Sequence, residues 1–283
     1  MGYFAPRSIE EALQILARNT VTVVAGGTDI FPAQTGKLPK NDLLDLTKIK
    51  SLAEIERVEG GLRIGAGVRW SDLLRADLPP SFNGLKSAAS KVGALQVQNA
   101  GTIGGNLCNA SPAADGVPAL LVLDAEVELA SGKGQRHLPL SDFITGVRKT
   151  ALGPDEIMTA IHIPEPPENS VGSFLKHGSR THLVISIAMT SALVWQDSHG
   201  RVAGARIAVG SCSPVAQRLP ALEDMLLGLP VSQINNLAIK DTHLAPLSPI
   251  SDLRGSAEYR ISIAKVLCQR ALILAVNGEA TDG

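Results

Sequence analysis

A chain of 283 residues, 45% hydrophobic and 19% charged, has the composition of an ordinary globular protein and length for about two domains. Its 26 basic and 27 acidic residues leave a net charge of −1, and only 3% are aromatic. That argues against a nucleic-acid binder with a broad basic surface or stacking aromatics, and against a membrane-surface protein. No apolar run reaches the ~18 residues of a membrane span. The opening MGYFAPRSIEEALQ lacks the apolar core of a signal peptide, so a cytoplasmic protein is expected. Cys108, Cys212 and Cys268 lie far apart without a CxxC pair, which argues against a disulfide framework and against a self-contained zinc or iron–sulfur site. No metal site is expected on this chain.

In chain order, Ser8 and Glu11 have capping-box spacing ahead of Ile9, Ala12, Leu13 and Leu16, which predicts a helix. Residues 21–25 and 42–46 read as short strands, and 52–58 with 62–67 as a hairpin about Glu59, Gly60 and Gly61. Helices are expected at 70–76, capped by Ser71, and at 85–92. A Gly-rich loop without secondary structure is expected from 101 to about 115, then a helix at 117–123 and strands at 126–130 and 157–163. Residues 164–170, with three prolines in four positions, form the linker candidate. Beyond it lie strands at 173–176, 185–195 and 201–210, then helices at 221–229 and 256–276. Short strands and helices without a βαβ rhythm indicate an α+β fold.

Two Gly-rich segments carry the chemistry. The first is Val24, Ala25, Gly26, Gly27, Thr28, Asp29 and Ile30, directly after a strand. Paired glycines let backbone N–H groups approach an anion, as in a phosphate-binding turn. On local grounds alone a plain strand-to-helix turn with Asp29 as cap is the commoner origin of such a segment. The second joins Gly101, Gly104 and Gly105 with Thr102, Ile103, Asn106, Asn109 and Ser111, a run of small hydrogen-bonding groups that can wrap a polar ligand. Cys108 reads as a small buried packing residue, Asp115 as either an N-cap or a ligand contact, and Lys176 and Arg180 as solvated charges at a strand end. Other patterns fail. Residues 65–70 begin like GxGxxG, but Trp70 occupies the third Gly position. Gly36 and Lys37 are followed by Leu38, so no Walker A motif forms, and residues 210–213 lack GxSxG spacing. The histidines at 137, 162, 177, 182, 199 and 243 show neither HExxH nor HxH, and each reads as a surface or packing residue.

AGGTDI near the start, paired with TIGGNLCNASPAAD further on, resembles the FAD-binding medium subunit of the molybdenum hydroxylase family, of the xanthine dehydrogenase and carbon monoxide dehydrogenase type. Phe4 and Pro6 before SIEEA, Ile64 to Gly67, Gln98 and Asn99, Leu123 to Ala125, Phe143 and the closing DLRGSAEYR are similar to that family too, so the resemblance covers nearly the whole chain. It implies an FAD-binding region of the vanillyl-alcohol-oxidase (PCMH) type over residues 1–166, with two α/β subdomains of about 1–50 and 51–166. A smaller α+β domain would follow at 171–283. Carried over by position, residues 24–30 and Thr102, Ile103, Gly104, Gly105 and Asn106 would hold the FAD pyrophosphate. Asp115 would bind the ribityl or phosphate-proximal part, and Met158 and Lys176 would lie near the flavin ring. The resemblance implies non-covalent FAD, a large subunit with a molybdenum cofactor and a small subunit with two [2Fe–2S] clusters. Electrons would pass through FAD to NAD, a quinone or another acceptor. A stand-alone flavin oxidase lacks a visible substrate domain in the remaining ~115 residues. A non-catalytic scaffold would have little reason to keep both Gly segments intact.

Overall fold

Ser8 starts the first helix, Ile9–Arg18: its hydroxyl accepts the Glu11 N–H at 3.2 Å, and the Glu11 carboxylate accepts the Arg7 N–H at 2.8 Å. In the computed structural model, which describes residues 2–33, 40–180 and 183–278, this helix lies on a parallel sheet. The sheet is formed by β1 (Tyr3–Phe4), β2 (Val21–Val24) and β3 (Asp42–Asp45) in the order β1-β3-β2. Ala12, Leu44, Leu46, Ile49 and Leu52 close a small core between them. The Walker-like Gly36 and Lys37, and His182, lie outside the described residues.

The second sheet is antiparallel. It uses β4 (Ile55–Val58), β5 (Gly61–Gly65), β6 (Glu126–Ser131), β7 (Gly134–Pro139) and, after a small hairpin of β8 (Ile144–Gly146) and β9 (Lys149–Thr150), β10 (Ile157–Pro164). Its order is β4-β5-β10-β6-β7. Alternation sorts its faces. Leu62, Ile64, Val127, Leu129, Ile161 and Ile163 enter the main core with the helices Asn83–Ser90 and Gly116–Val122. Arg63, Glu128 and His162 share the other face. There Glu128 accepts from Arg63 at 3.1 Å and Thr159 at 2.5 Å, and meets His162 Nε2 at 2.7 Å. Burial pushes the Glu128 carboxyl up, but the hydrogen bonds of Arg63, Thr159 and His162 and the Arg63 charge outweigh it and hold it at about 2.

The third sheet, β11 (Val171–His177), β12 (Ala188–Gln196), β13 (Val202–Gly210) and β14 (Gln217–Arg218), is antiparallel in that order. It is covered on both faces, which accounts for a β12 buried from Ala188 through Val194. On one side Phe174, Met189, Leu193 and Ala208 join the main core, and on the other Ala188, Ala192, Ile207 and Val209 pack with the helices Pro220–Leu226 and Ala257–Asn277. The Pro-rich segment 164–170 therefore connects two halves that share a core. Their backbones touch where Gly172 meets the Ser81 carbonyl.

Three expectations change. The helix Trp70–Arg75 starts from Arg69, and Ser71 is buried in its first turn. The strand expected from 185 begins at Ala188, because Ile185 stands out at the surface. The loop expected at 101–115 contains a helix: Ile103–Asn109 follows Leu95–Ala100, and residues 101–102 and 110–115 stay outside it. Thr102 makes the difference by accepting the Gly105 N–H at 3.1 Å as N-cap. Strands β7, β8 and β9 carry no signal strong enough to be read in sequence.

Two stability experiments follow. In Gly172→Ala the new Cβ would stand 2.4 Å from the Ser81 carbonyl oxygen, so the two halves must shift. We expect a loss of about 1–3 kcal/mol in urea unfolding. Because Glu128 falls from 4.5 to about 2 on folding, it contributes about 3 kcal/mol above its unfolded value, lost as pH falls towards about 2. Glu128→Gln should flatten that acid limb of the stability–pH curve.

Candidate functional site

The first Gly segment leaves the carboxyl end of β2. Gly27 has φ +66°, a left-handed turn open to glycine at little cost, and a Cβ there would strike the Phe31 ring at 2.4 Å. Gly26 is placed by contact: a Cβ would stand 2.0 Å from the Ala100 carbonyl oxygen and 2.8 Å from Gly101 Cα. The two Gly segments thus meet backbone to backbone, with Thr28 Oγ1 beside Gly101. The N–H groups of Gly26, Gly27 and Thr28 bond to none of the described residues. Val24 is buried at the strand end, Asp29 is exposed, and Ile30 opens the short helix Ile30–Ala33.

The second segment behaves differently. The N–H groups of Ile103 and Gly104 bond to the carbonyls of Val68 and Ala66, both at 2.9 Å, and that of Asn106 bonds to Thr102 O at 3.0 Å. With Gly105 on its cap, each of these four amides is already bonded within the fold. Gly104 faces inward, its missing Cβ 2.6 Å from Ala66 Cβ. Gly105 is exposed, and a Cβ there would meet only Thr102 Oγ1, at 2.9 Å. Asn106 Oδ1 is buried without a hydrogen-bond partner. Cys108 is exposed on the same helix, not a packing residue as expected. Trp70, which excludes the dinucleotide fingerprint, lies beneath the site: hypothetical Cβ atoms on Gly101 and Gly116 would stand 3.5 Å and 2.6 Å from its Cδ1 and Cη2.

Asp115 occupies the N-cap position of Gly116–Val122 but makes no capping bond. Its carboxylate binds Lys176 Nζ at 2.7 Å and accepts from Ser186 Oγ at 2.7 Å. Lys176 donates also to the Lys91 carbonyl at 3.2 Å and is 8% exposed, so it is no solvated strand-end charge. Burial pushes the Asp115 carboxyl up against the pull of Lys176 and Ser186. Arg180 does stay at the surface, on the Leu183 carbonyl at 3.0 Å. Met158 is 4% exposed inside the main core, in β10. Sequence reasoning missed Ser186, Trp70 and the Lys91 carbonyl, whose roles come only from contacts between distant segments. It also read His137 and His162 singly, whereas the fold puts both beside Glu128.

The arrangement fits a dinucleotide such as FAD. Three amides without a partner among the described residues suit a diphosphate, an exposed glycine allows close approach, and an orphaned buried acceptor suits a ligand hydroxyl or N–H. The FAD binding domain in molybdopterin dehydrogenase matches residues 1–166, and the CO dehydrogenase flavoprotein C-terminal domain matches residues 173–275. The chain is 35% identical to the nicotinate dehydrogenase FAD-subunit of Eubacterium barkeri over 81% of this chain and 80% of that one. It is 29% identical to the xanthine dehydrogenase FAD-binding subunit of Escherichia coli O157:H7, over 97% and 96%. It superposes on a chain of the crystal structure of Cu,Mo-CO dehydrogenase with a TM-score of 0.90 and 26% identity, covering 98% of both. Among the described residues no helix is long and apolar enough to cross a membrane. The chain belongs to the FAD-binding medium subunits of molybdenum hydroxylases, and is an oxidoreductase subunit of the xanthine and carbon monoxide dehydrogenase type.

Proposed function

We propose that this chain holds FAD non-covalently and relays electrons from [2Fe–2S] clusters of a small partner subunit to an external acceptor such as NAD or a quinone. A large partner subunit would carry the molybdenum cofactor and oxidise the substrate of a heterotrimer. The observation that supports the reading is the set of N–H groups at Gly26, Gly27 and Thr28 that bond to none of the described residues, with Gly26 against the second Gly segment. Three thiols without a disulfide fit a reducing compartment, the cytoplasm, and the absence of a cysteine cluster fits clusters carried by another chain. We read residues 1–166 as the FAD-binding region and 171–283 as the C-terminal domain.

When bound, the flavin supplies a relay between one-electron and two-electron carriers. The residues of this chain bind and tune it. The amides of Gly26, Gly27 and Thr28 donate to the diphosphate. Gly105 leaves the surface of helix Ile103–Asn109 open, while Gly104 locks that helix onto Ala66. Asn106 Oδ1, a buried acceptor without a partner, would accept a hydrogen bond from a hydroxyl or N–H of the bound group. Lys176, assigned near the flavin ring, offers a positive charge that favours the reduced anion, and Asp115 offsets part of it.

The primary test is the absorption spectrum of the purified full chain, with released flavin identified by chromatography. Flavin bands and FAD are expected. A colourless folded chain that takes up no FAD, even with both partner subunits, would leave the scaffold reading. The two glycines should separate. Gly105→Val should keep the fold and bind FAD at least about tenfold more weakly, whereas Gly104→Val should lower stability by about 1–3 kcal/mol through its contact with Ala66. With FAD retained, Lys176→Met should lower the flavin potential by about 30 mV or more and Asp115→Asn should raise it. Equal shifts of one sign would contradict the charge argument.

A further inference from the structure

Three strands of the five-stranded sheet bring ligating side chains to one point on its outer face. Glu128 of β6, His137 of β7 and His162 of β10 each offer one ligand atom, and these atoms all lie within 4.8 Å of one another. The two imidazole rings are 4.7 Å apart between centroids and tilted by 57°. His162 Nε2 already sits 2.7 Å from Glu128 Oε2. Strand register produces the cluster: Glu128 stands opposite His137 on β7, and His162 stands opposite Glu126, two residues from Glu128 on the same face.

We propose that Glu128, His137 and His162 form a binding site for a borderline divalent cation of the Zn2+, Ni2+ or Cu2+ class. Two imidazoles and one carboxylate are the donor set such ions take, whereas Mg2+ and Ca2+ need more oxygens. Three protein ligands leave a fourth position. The adjoining cleft of about 250 Å³, lined also by Glu59, Gly60 and Glu126, has room for a water or a further carboxylate there. Little has to move. Ligand atoms at ~2.0–2.1 Å from a tetrahedral ion stand roughly 3.3 Å apart, so the His162–Glu128 contact opens slightly and exposed His137 swings in. The second carboxylate oxygen is held by Thr159 at 2.5 Å and Arg63 at 3.1 Å, which turns the first towards the histidines. Arg63 also opposes a cation, so the site should bind less tightly than one without that charge. A bound ion would tie edge strand β7 to β6 and β10.

The test uses the full chain with its flavin content measured, stripped with chelator, then titrated with Zn2+ by calorimetry and with Co2+ by visible absorption. One ion per chain is expected, and with Co2+ the visible bands of a four-coordinate site. His137→Ala and His162→Ala should each weaken Zn2+ binding at least tenfold. His199→Ala, on the exposed turn at 197–200, should leave it unchanged. His137 is exposed on an edge strand, so its variant should fold even if the His162 variant does not, as circular dichroism and FAD content would report. Failure of the intact chain to take up either ion stoichiometrically, or unchanged Zn2+ binding in the folded histidine variants, would overturn the proposal.

Discussion

Backbone meets backbone where the two Gly segments touch, and the rest of the site depends on that contact. Gly26, at the end of the parallel sheet, lies against the Ala100 carbonyl and Gly101. The parallel sheet and the main core are separate hydrophobic clusters, so this contact sets how one is placed on the other next to the site. A second close approach, Gly104 on Ala66, seats helix Ile103–Asn109 on the end of β5. The two contacts divide the chemistry. The amides of residues 103–106 are all bonded, which makes that helix a fixed wall. The amides of 26–28 bond to none of the described residues and lie next to the contact of Gly26 with Ala100 and Gly101, so a ligand would find donors held on a fixed backbone.

The Asp115–Lys176 pair bears on the same point from the other half of the chain. Both side chains are 8% exposed, and desolvating two charges costs about as much as their attraction returns. A pair of apolar residues would serve stability as well there. Removing one partner is the costly change, because it strands a buried charge. The pair therefore joins β11 to the start of helix Gly116–Val122 and keeps a charge where charge is of use. Ser186 and the Lys91 carbonyl complete the bonding of both groups, as a buried ion pair requires.

Features set by neighbours in sequence were legible. The Ser8 cap, the short strands near 21–24 and 42–45, the hairpin about Gly60 and the long final helix all follow from local spacing. The pairing of two motifs carried the family. Features set by distant contacts were not legible. Residues 101–115 looked like a loop because glycine usually breaks helices, and the contact with Ala66 that repays Gly104 is remote in sequence. Lys176 looked solvated because its alternation alone cannot show Asp115 arriving from another segment. The histidines looked unrelated because strand register decides which residues share a face, and register is absent from a one-dimensional pattern.

The two faces of the five-stranded sheet meet at one residue. Thr159, at the bulge between Met158 and Ala160, accepts the Ala66 N–H at 2.9 Å through its carbonyl and donates to Glu128 at 2.5 Å through its hydroxyl. Ala66 O in turn accepts the Gly104 N–H at 2.9 Å. Three hydrogen bonds thus connect the outer polar cluster to the helix beside the free amides. Such a connection works as a switch only if one of its members has two stable positions. Here each member is held: Thr159 is 2% exposed between paired strands, Ala66 is buried, and Gly104 lies so close to Ala66 that a Cβ there would stand 2.6 Å from its Cβ and 2.7 Å from its carbonyl oxygen. A packed interior resists continuous deformation, so the bonds fix register rather than transmit a change. The polar face therefore acts on the site through stability, by holding β10 and β5 where helix Ile103–Asn109 must seat.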